Sequence, residues 1–188
     1  MAFRKVKDLV KSLHNITSRR MNTIDNICKK GCSYCCSQIP SVHEAESLLI
    51  ADYIEYHMTK KDKEQLKQKV IHWLDHLMAH TPDRILTTRD IIRLERSTCR
   101  KGIMCPFLKN SLCLIYKVRP MACRTFSVND DVKLCIEQPD RDCDPIAYNL
   151  FVVMISRLKQ QSGTTRSKLL VYATAEALGI KHKLRTIT

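Results

Sequence analysis

The residues best able to do chemistry in this chain are its cysteines, and their spacing is uneven. Four of the ten lie within nine residues, in the run Cys28-Lys-Lys-Gly-Cys32-Ser-Tyr-Cys35-Cys36. Cys105, Cys113 and Cys123 follow about seventy residues later, in a stretch poor in helix signals. Thiolates are soft donors, suited to zinc and to iron–sulfur clusters. Gaps of two and three residues let neighbouring side chains face one site, and a structural zinc site draws on two knuckles of this kind. Cys32 and Cys35 make one candidate knuckle, which Cys105, Cys113 or Cys123 would complete. If a helix ran through the first run, Cys28, Cys32 and Cys35 would share one stripe. If Gly31 breaks it, the same residues wrap as a loop. Either path suits a polynuclear centre.

Ten cysteines could instead pair as disulfides. However, Met1-Ala-Phe-Arg-Lys-Val-Lys leads into an amphipathic pattern, not an apolar signal region. No apolar run approaches the ~20 residues that span a bilayer, so no transmembrane segment is expected. A cytoplasmic, reduced chain is the expectation, and there clustered thiols mean metal or catalysis more often than disulfides. With 188 residues, 44% hydrophobic and 27% charged, the chain can bury a core without covalent help. Only four glycines occur, and no glycine-rich phosphate loop is among the motifs. The net charge of +13 divides into +5 over residues 1–20, +2 over 21–156 and +6 over 157–188. Basic ends suggest an anionic partner, nucleic acid or acidic protein, although solvated lysines explain them as well.

The elements that must position the thiols read as helices. Phe3, Val6, Val10 and Leu13 recur at helical spacing among Arg4, Lys5, Lys7 and Lys11. Pro40 precedes Ser41-Val-His-Glu44, a capping box that opens a helix to about His57. A third helix, about Lys61 to His80, turns Leu66, Val70, Ile71, Leu74, Leu77 and Met78 inward, with Trp73 on the flank. Its His72, His76 and His80 could bind metal, but they lie opposite the apolar stripe and read as a solvated face. Thr87 or Thr88 caps a short helix ending near Ser97. From Cys99 to about Cys143 periodicity fades, and metal ligation would supply the missing cohesion. Asp144-Pro145 opens a helix that buries Ile146, Leu150, Phe151, Val153, Met154 and Leu158. After a turn at Ser162–Thr164, a last helix runs from about Thr165 to Leu178, with Gly179 at C′. The tail 180–188 is basic. The fold class is all-α: a small helical domain with an irregular cysteine-rich loop region and one short hairpin near Ser127–Cys135. Residues 1–24 form a basic amphipathic helix, 25–144 the cysteine-cluster core, and 145–188 a helical pair with the tail, all in one domain.

Two resemblances bear on the cysteines. Cys28-x₃-Cys32-x-Tyr34-Cys35 has the spacing of the three-cysteine motif of radical S-adenosylmethionine enzymes, in which one iron stays open for the cofactor. The remaining chain lacks the strand–helix alternation of their barrel. A longer likeness runs through Cys28-x₃-Cys32-x₂-Cys35-Cys36, the Glu44 helix, Cys105-Pro-Phe-Leu, Cys113-Leu-Ile-Tyr and Arg119-Pro-Met-Ala-Cys123-Arg-Thr-Phe. Over about residues 25–130 this resembles the YkgJ-like cysteine-cluster family, a zinc- or iron-chelating domain. The resemblance implies that these seven cysteines are metal ligands and implies little about a reaction. A related domain occurs in flagellin lysine methylases, which use S-adenosylmethionine.

Seven is odd for four-ligand sites. Cys99, Cys135 or Cys143 would supply an eighth ligand, or one site has three thiolates; Cys135 is taken as the eighth. Arg119 and Arg124 flank Cys123 and would hold cluster sulfurs, a carboxylate or a phosphate, or else fix the loop. Tyr34 reads as a wall of the site. The leading reading is one or two [4Fe–4S] clusters, with an open iron that serves an S-adenosylmethionine-using modification enzyme. The alternative is a zinc-stabilised binding module for nucleic acid or another polyanion.

Overall fold

Helix α2, Glu44–His57, lies between two hydrophobic cores and feeds both. Ala45 and Leu49 face one core, with Val10 and Leu13 of α1 (Ala2–Met21), Met121 of α5 (Met121–Thr125), and Met154 and Leu158 of α7 (Pro145–Ser162). Ile50 and Ile54, on the adjacent stripe, face the other core. There they meet α3 (Lys60–His80), α4 (Thr88–Arg100), α8 (Leu170–Ala177), Phe107 and Ile115. The computed structural model describes residues 2–28, 31–81, 87–131, 133–138 and 141–181, without the side chains of Ala2, Phe3, Thr88, Ile92 and Ile136. The expected inward Phe3, the Pro82-Asp83 break, Pro139 and most of the basic tail therefore lie outside the described residues.

The helical class and the single short hairpin hold, but the hairpin sits elsewhere. Strands β2 (Leu108–Lys109) and β3 (Leu112–Cys113) pair antiparallel, Leu108 opposite Cys113. Asn110 and Ser111 between them have φ of 51° and 58°, the two left-handed residues that a tight two-residue hairpin loop needs. Among the described residues of Ser127–Cys135 there is no strand, and Leu134–Glu137 forms a helical turn, α6.

Two further short strands replace expected helix. β1 (Ser41–His43) pairs antiparallel with β4 (Ser167–Leu169), so α8 begins only at Leu170. Because Ser41–His43 is extended, the cap moves two residues along. His43 Nδ1 accepts from the Ala45 N–H, and Glu46 Oε2 accepts from the His43 N–H. Glu44 instead accepts from Thr164 Oγ1 and Arg166 Nε, each at 3.0 Å, which ties α2 to the approach of β4.

Helix α3 is rotated from its expected setting. Trp73 and His76 are buried while Met78 is 55% exposed. His76 is drawn inward because Thr98 of α4 offers its Nε2 a partner at 3.3 Å. In α7, Asp144 caps Ile146 and Ala147 as expected. Yet Ile146 and Val153 face solvent, since Ala147, Met154 and Leu158 already define the inner stripe. Thr87 caps α4, which runs three residues past its expected end and so carries Cys99 in its last turn. Gly163 and Gly179 end α7 and α8 with positive φ.

Candidate metal centre

The first cysteine run is a loop and not a helical stripe. α1 stops at Met21, and Gly31 turns the chain at φ 91°. Tyr34–Ser37 then closes one 3₁₀ turn that carries Cys35 and Cys36. Tyr34 itself is 41% exposed, at the rim of the thiol group. The backbone pins this loop on both sides. The Ile27 N–H donates to the Val128 carbonyl at 3.0 Å, and the Cys105 N–H donates to the Cys36 carbonyl at 2.6 Å.

Each later thiol is brought in by a different element. Trp73 Nε1 of α3 donates to the Met104 carbonyl at 2.7 Å, and Lys69 Nζ donates to the Leu108 carbonyl at 2.7 Å. These bonds set Cys105 and the hairpin that carries Cys113. Cys123 rides on α5, whose first N–H, on Met121, donates to Glu46 Oε1 at 2.7 Å. Glu46 is 1% exposed, and the same oxygen lies 2.8 Å from His14 Nε2. One buried carboxylate thus links α1, α2, β1 and α5. It was not foreseen, because a glutamate in a first helical turn reads as an ordinary helix former.

The thiols converge around Cys35. It is within electrostatic reach of Cys28, Cys36, Cys105, Cys113, Cys123 and Cys135. Cys105, Cys113 and Cys123 form an inner set with it. Cys28, Cys32 and Cys135 are neighbours of one another and form an outer set that also reaches Cys35. All ten cysteines are free thiols. Cys143 has the Asp142 and Asp144 carboxylates as its charged neighbours. The Cys99 sulfur donates to Ser37 Oγ at 3.2 Å, behind the cysteine turn.

Cys28, Cys35, Cys105, Cys113, Cys123 and Cys135 resist ionisation. A hydrogen bond with Cys36, then burial, pushes Cys35 up; burial, then neighbouring thiols, does the same to Cys105 and Cys123. Burial also raises Cys28, Cys113 and Cys135. Opposing it are backbone N–H groups aimed at sulfur: Val128 on Cys28, Phe107 on Cys105 and Ile115 on Cys113. The Arg119 guanidinium, near Cys35, Cys113 and Cys123, acts in the same sense. Such groups stabilise sulfur carrying negative charge, and a bound cation would complete the ionisation they only begin.

The two arginines beside Cys123 differ. Arg124 is buried and fully engaged, donating to the Arg119 and Lys117 carbonyls and to Ser18 Oγ. Burial lowers it to about 10, and Arg119 adds to that shift. Arg119 lies over the Tyr116 ring at 4.0 Å, and its buried Nε has no partner among the described residues.

Soft sulfur donors, N–H groups directed at them and an unpartnered guanidinium nitrogen fit a thiolate-bound metal centre. Among the described residues, no three Cys, His, Asp or Glu side chains are drawn close enough to hold a metal ion as they stand. His72, His76 and His80 are no exception: His76 is buried, with its ring stacked on His80 at 4.2 Å. No helix among the described residues is long and apolar enough to cross a membrane.

No curated protein and no solved structure matches the chain. A family model does, over residues 27–144, from the residue before Cys28 to the cap of α7; it is described as "CxxCxxCC: Putative zinc- or iron-chelating domain". The match spans both cysteine sets and more than half of the sequence, and the chain belongs to the CxxCxxCC family.

Proposed function

We propose that this chelating domain holds iron–sulfur, as one or two [4Fe–4S] centres ligated by Cys28, Cys32, Cys35, Cys36, Cys105, Cys113, Cys123 and Cys135. The observation that carries this reading is the position of Cys35, which neighbours thiols of both sets, more sulfur than one four-ligand zinc site uses. An iron–sulfur centre supplies electron transfer and, where an iron lacks a protein ligand, a Lewis-acidic position. The chain's own residues tune it. Arg119 and the Val128, Phe107 and Ile115 amides offset negative charge on sulfur, and Arg124 keeps the Arg119 loop in place. Residues 1–24, 25–144 and 145–188 act as one unit in this reading, because α1 and α7 complete the core beneath the Cys123 helix.

An open position beside Cys28, Cys32 and Cys35, walled by Tyr34, would accept S-adenosylmethionine. The support for that step is the Cys28–Cys35 spacing. Protein purified without oxygen is expected to be brown and to contain iron and acid-labile sulfide. It is expected to retain S-adenosylmethionine in equilibrium dialysis if an iron is open. Colourless protein with stoichiometric zinc would overturn the iron–sulfur assignment. Brown protein that retains none of the cofactor would remove only the open iron.

The zinc result would favour a metal-stabilised module with an anionic partner. The observation behind that second reading is the exposed Arg4, Lys5, Lys11, Arg19 and Arg20 along α1. Binding to nucleic acid that weakens steeply with salt would support it.

A further inference from the structure

A cavity of about 390 Å³ opens between α4, α5 and the first turns of α7, with Cys143 in its lining. Its size is that of a small-molecule site. Its walls carry charge of both signs: Glu95 and Asp142 against Arg96 and Arg141. These four side chains sum to zero, so the lining has no net preference for an anion or a cation.

Arg141 is the member of this group with a donor to spare, and Asp142 follows it in the chain. Arg141 gives Nη2 to Asp130 at 2.6 Å, while its Nη1 is buried without a partner among the described residues. An unmet guanidinium donor in a half-buried position favours a carboxylate. Asp142 is exposed beside it and can take an ammonium group. The same cavity is lined by Tyr148 and Phe151, with ring centroids 6.4 Å apart, and by Phe126. Tyr148 is 55% exposed although it is aromatic, which leaves its ring free to cover a flat ligand.

From this juxtaposition we infer that the cavity binds an α-amino acid with an aromatic side chain. Its carboxylate lies on Arg141, its ammonium on Asp142, and its ring against Tyr148 and Phe151. The inference goes beyond the metal reading and does not depend on which metal the thiols hold. Arg141 does connect the two regions, since its guanidinium is a charged neighbour of the Cys135 thiol.

The test is calorimetric titration of the metal-loaded full chain with L-phenylalanine, L-tyrosine and L-tryptophan. Glycine, 3-phenylpropionate and phenethylamine serve as probes that lack the ring, the ammonium and the carboxylate respectively. Saturable binding of at least one aromatic amino acid is expected, with each probe weaker by about tenfold or more. Asp142→Asn and Tyr148→Ala alter exposed side chains and are expected to fold, as judged by circular dichroism. Each should weaken that binding by about tenfold. No saturable binding by any of the three would overturn the inference. So would a single-charge probe that binds as tightly as the amino acid, or unchanged affinity in a folded Asp142→Asn protein.

Discussion

The backbone N–H of Cys105 donates to the carbonyl of Cys36 at 2.6 Å, joining two cysteine sets about seventy residues apart. This bond sits at the end of the 3₁₀ turn that carries Cys35, the thiol with neighbours in both sets. The metal centre is therefore expected to respond unequally to loss of single cysteines. Cys35→Ser should remove most of the bound metal, because both sets lose a member. Cys143→Ala should leave metal content within error of the parent, since its charged neighbours are carboxylates. Elemental analysis of the two purified variants checks this, and equal losses from both would contradict the arrangement around Cys35.

Glu46 is the buried polar hub beneath that centre. It accepts from the Met121 and His43 N–H groups and contacts His14, all away from solvent. Truncation leaves these groups without an acceptor. Glu46→Ala is expected to cost about 3–5 kcal/mol in chemical denaturation. Glu46→Gln keeps one of the two acceptor oxygens and should cost less than Glu46→Ala. Because the Met121 bond positions the helix of Cys123, Glu46→Ala should also lower metal affinity, which a chelator competition reads. A loss below about 1 kcal/mol would show that the hub is not needed for stability.

The cysteine chemistry and most of the helices were legible because each depends on short-range spacing. Asp144-Pro145 announces α7, and Thr87 announces α4, through capping alone. The strands escaped because Ser41–His43 and Ser167–Leu169 are three residues each, too short to show a period of two, and they pair across more than a hundred residues. The hairpin turn is Asn110-Ser111, without the glycine that usually marks such a loop. His76 looked solvated because its partner, Thr98, lies on another helix. The assembly of the site was hidden for the same reason: Glu46 and Trp73 each act on a distant segment.

Buried His76 gives the fold an acid-sensitive point between α3 and α4. Burial, with His80, Lys101 and His72 as charged neighbours, lowers it to about 4 from 6.5. A histidine depressed in the folded state is protonated first in the unfolded chain. Stability is therefore complete above pH 6.5 and declines as pH falls toward 4. The loss attributable to this group is on the order of 3 kcal/mol at its limit. Urea denaturation from pH 7 to pH 4 should show that decline in the parent and a shallower one in His76→Gln. Parallel slopes would mean that His76 is not the group responsible.

The β2–β3 loop offers a test in the stabilising direction. Ser111 holds a φ of 58°, a region where a side chain is strained and glycine is not. Asn-Gly is the preferred pair for a two-residue loop with both residues left-handed. Ser111→Gly removes the strain but adds freedom to the unfolded chain, so the two effects partly offset. Relief of the left-handed strain is the larger, about 1 kcal/mol or more against several tenths. A net gain of about 0.5 kcal/mol is expected in denaturation. Because Cys113 ends the second strand, the variant should also hold metal at least as tightly as the parent in chelator competition. Destabilisation by Ser111→Gly would indicate that the hairpin does not adopt this turn.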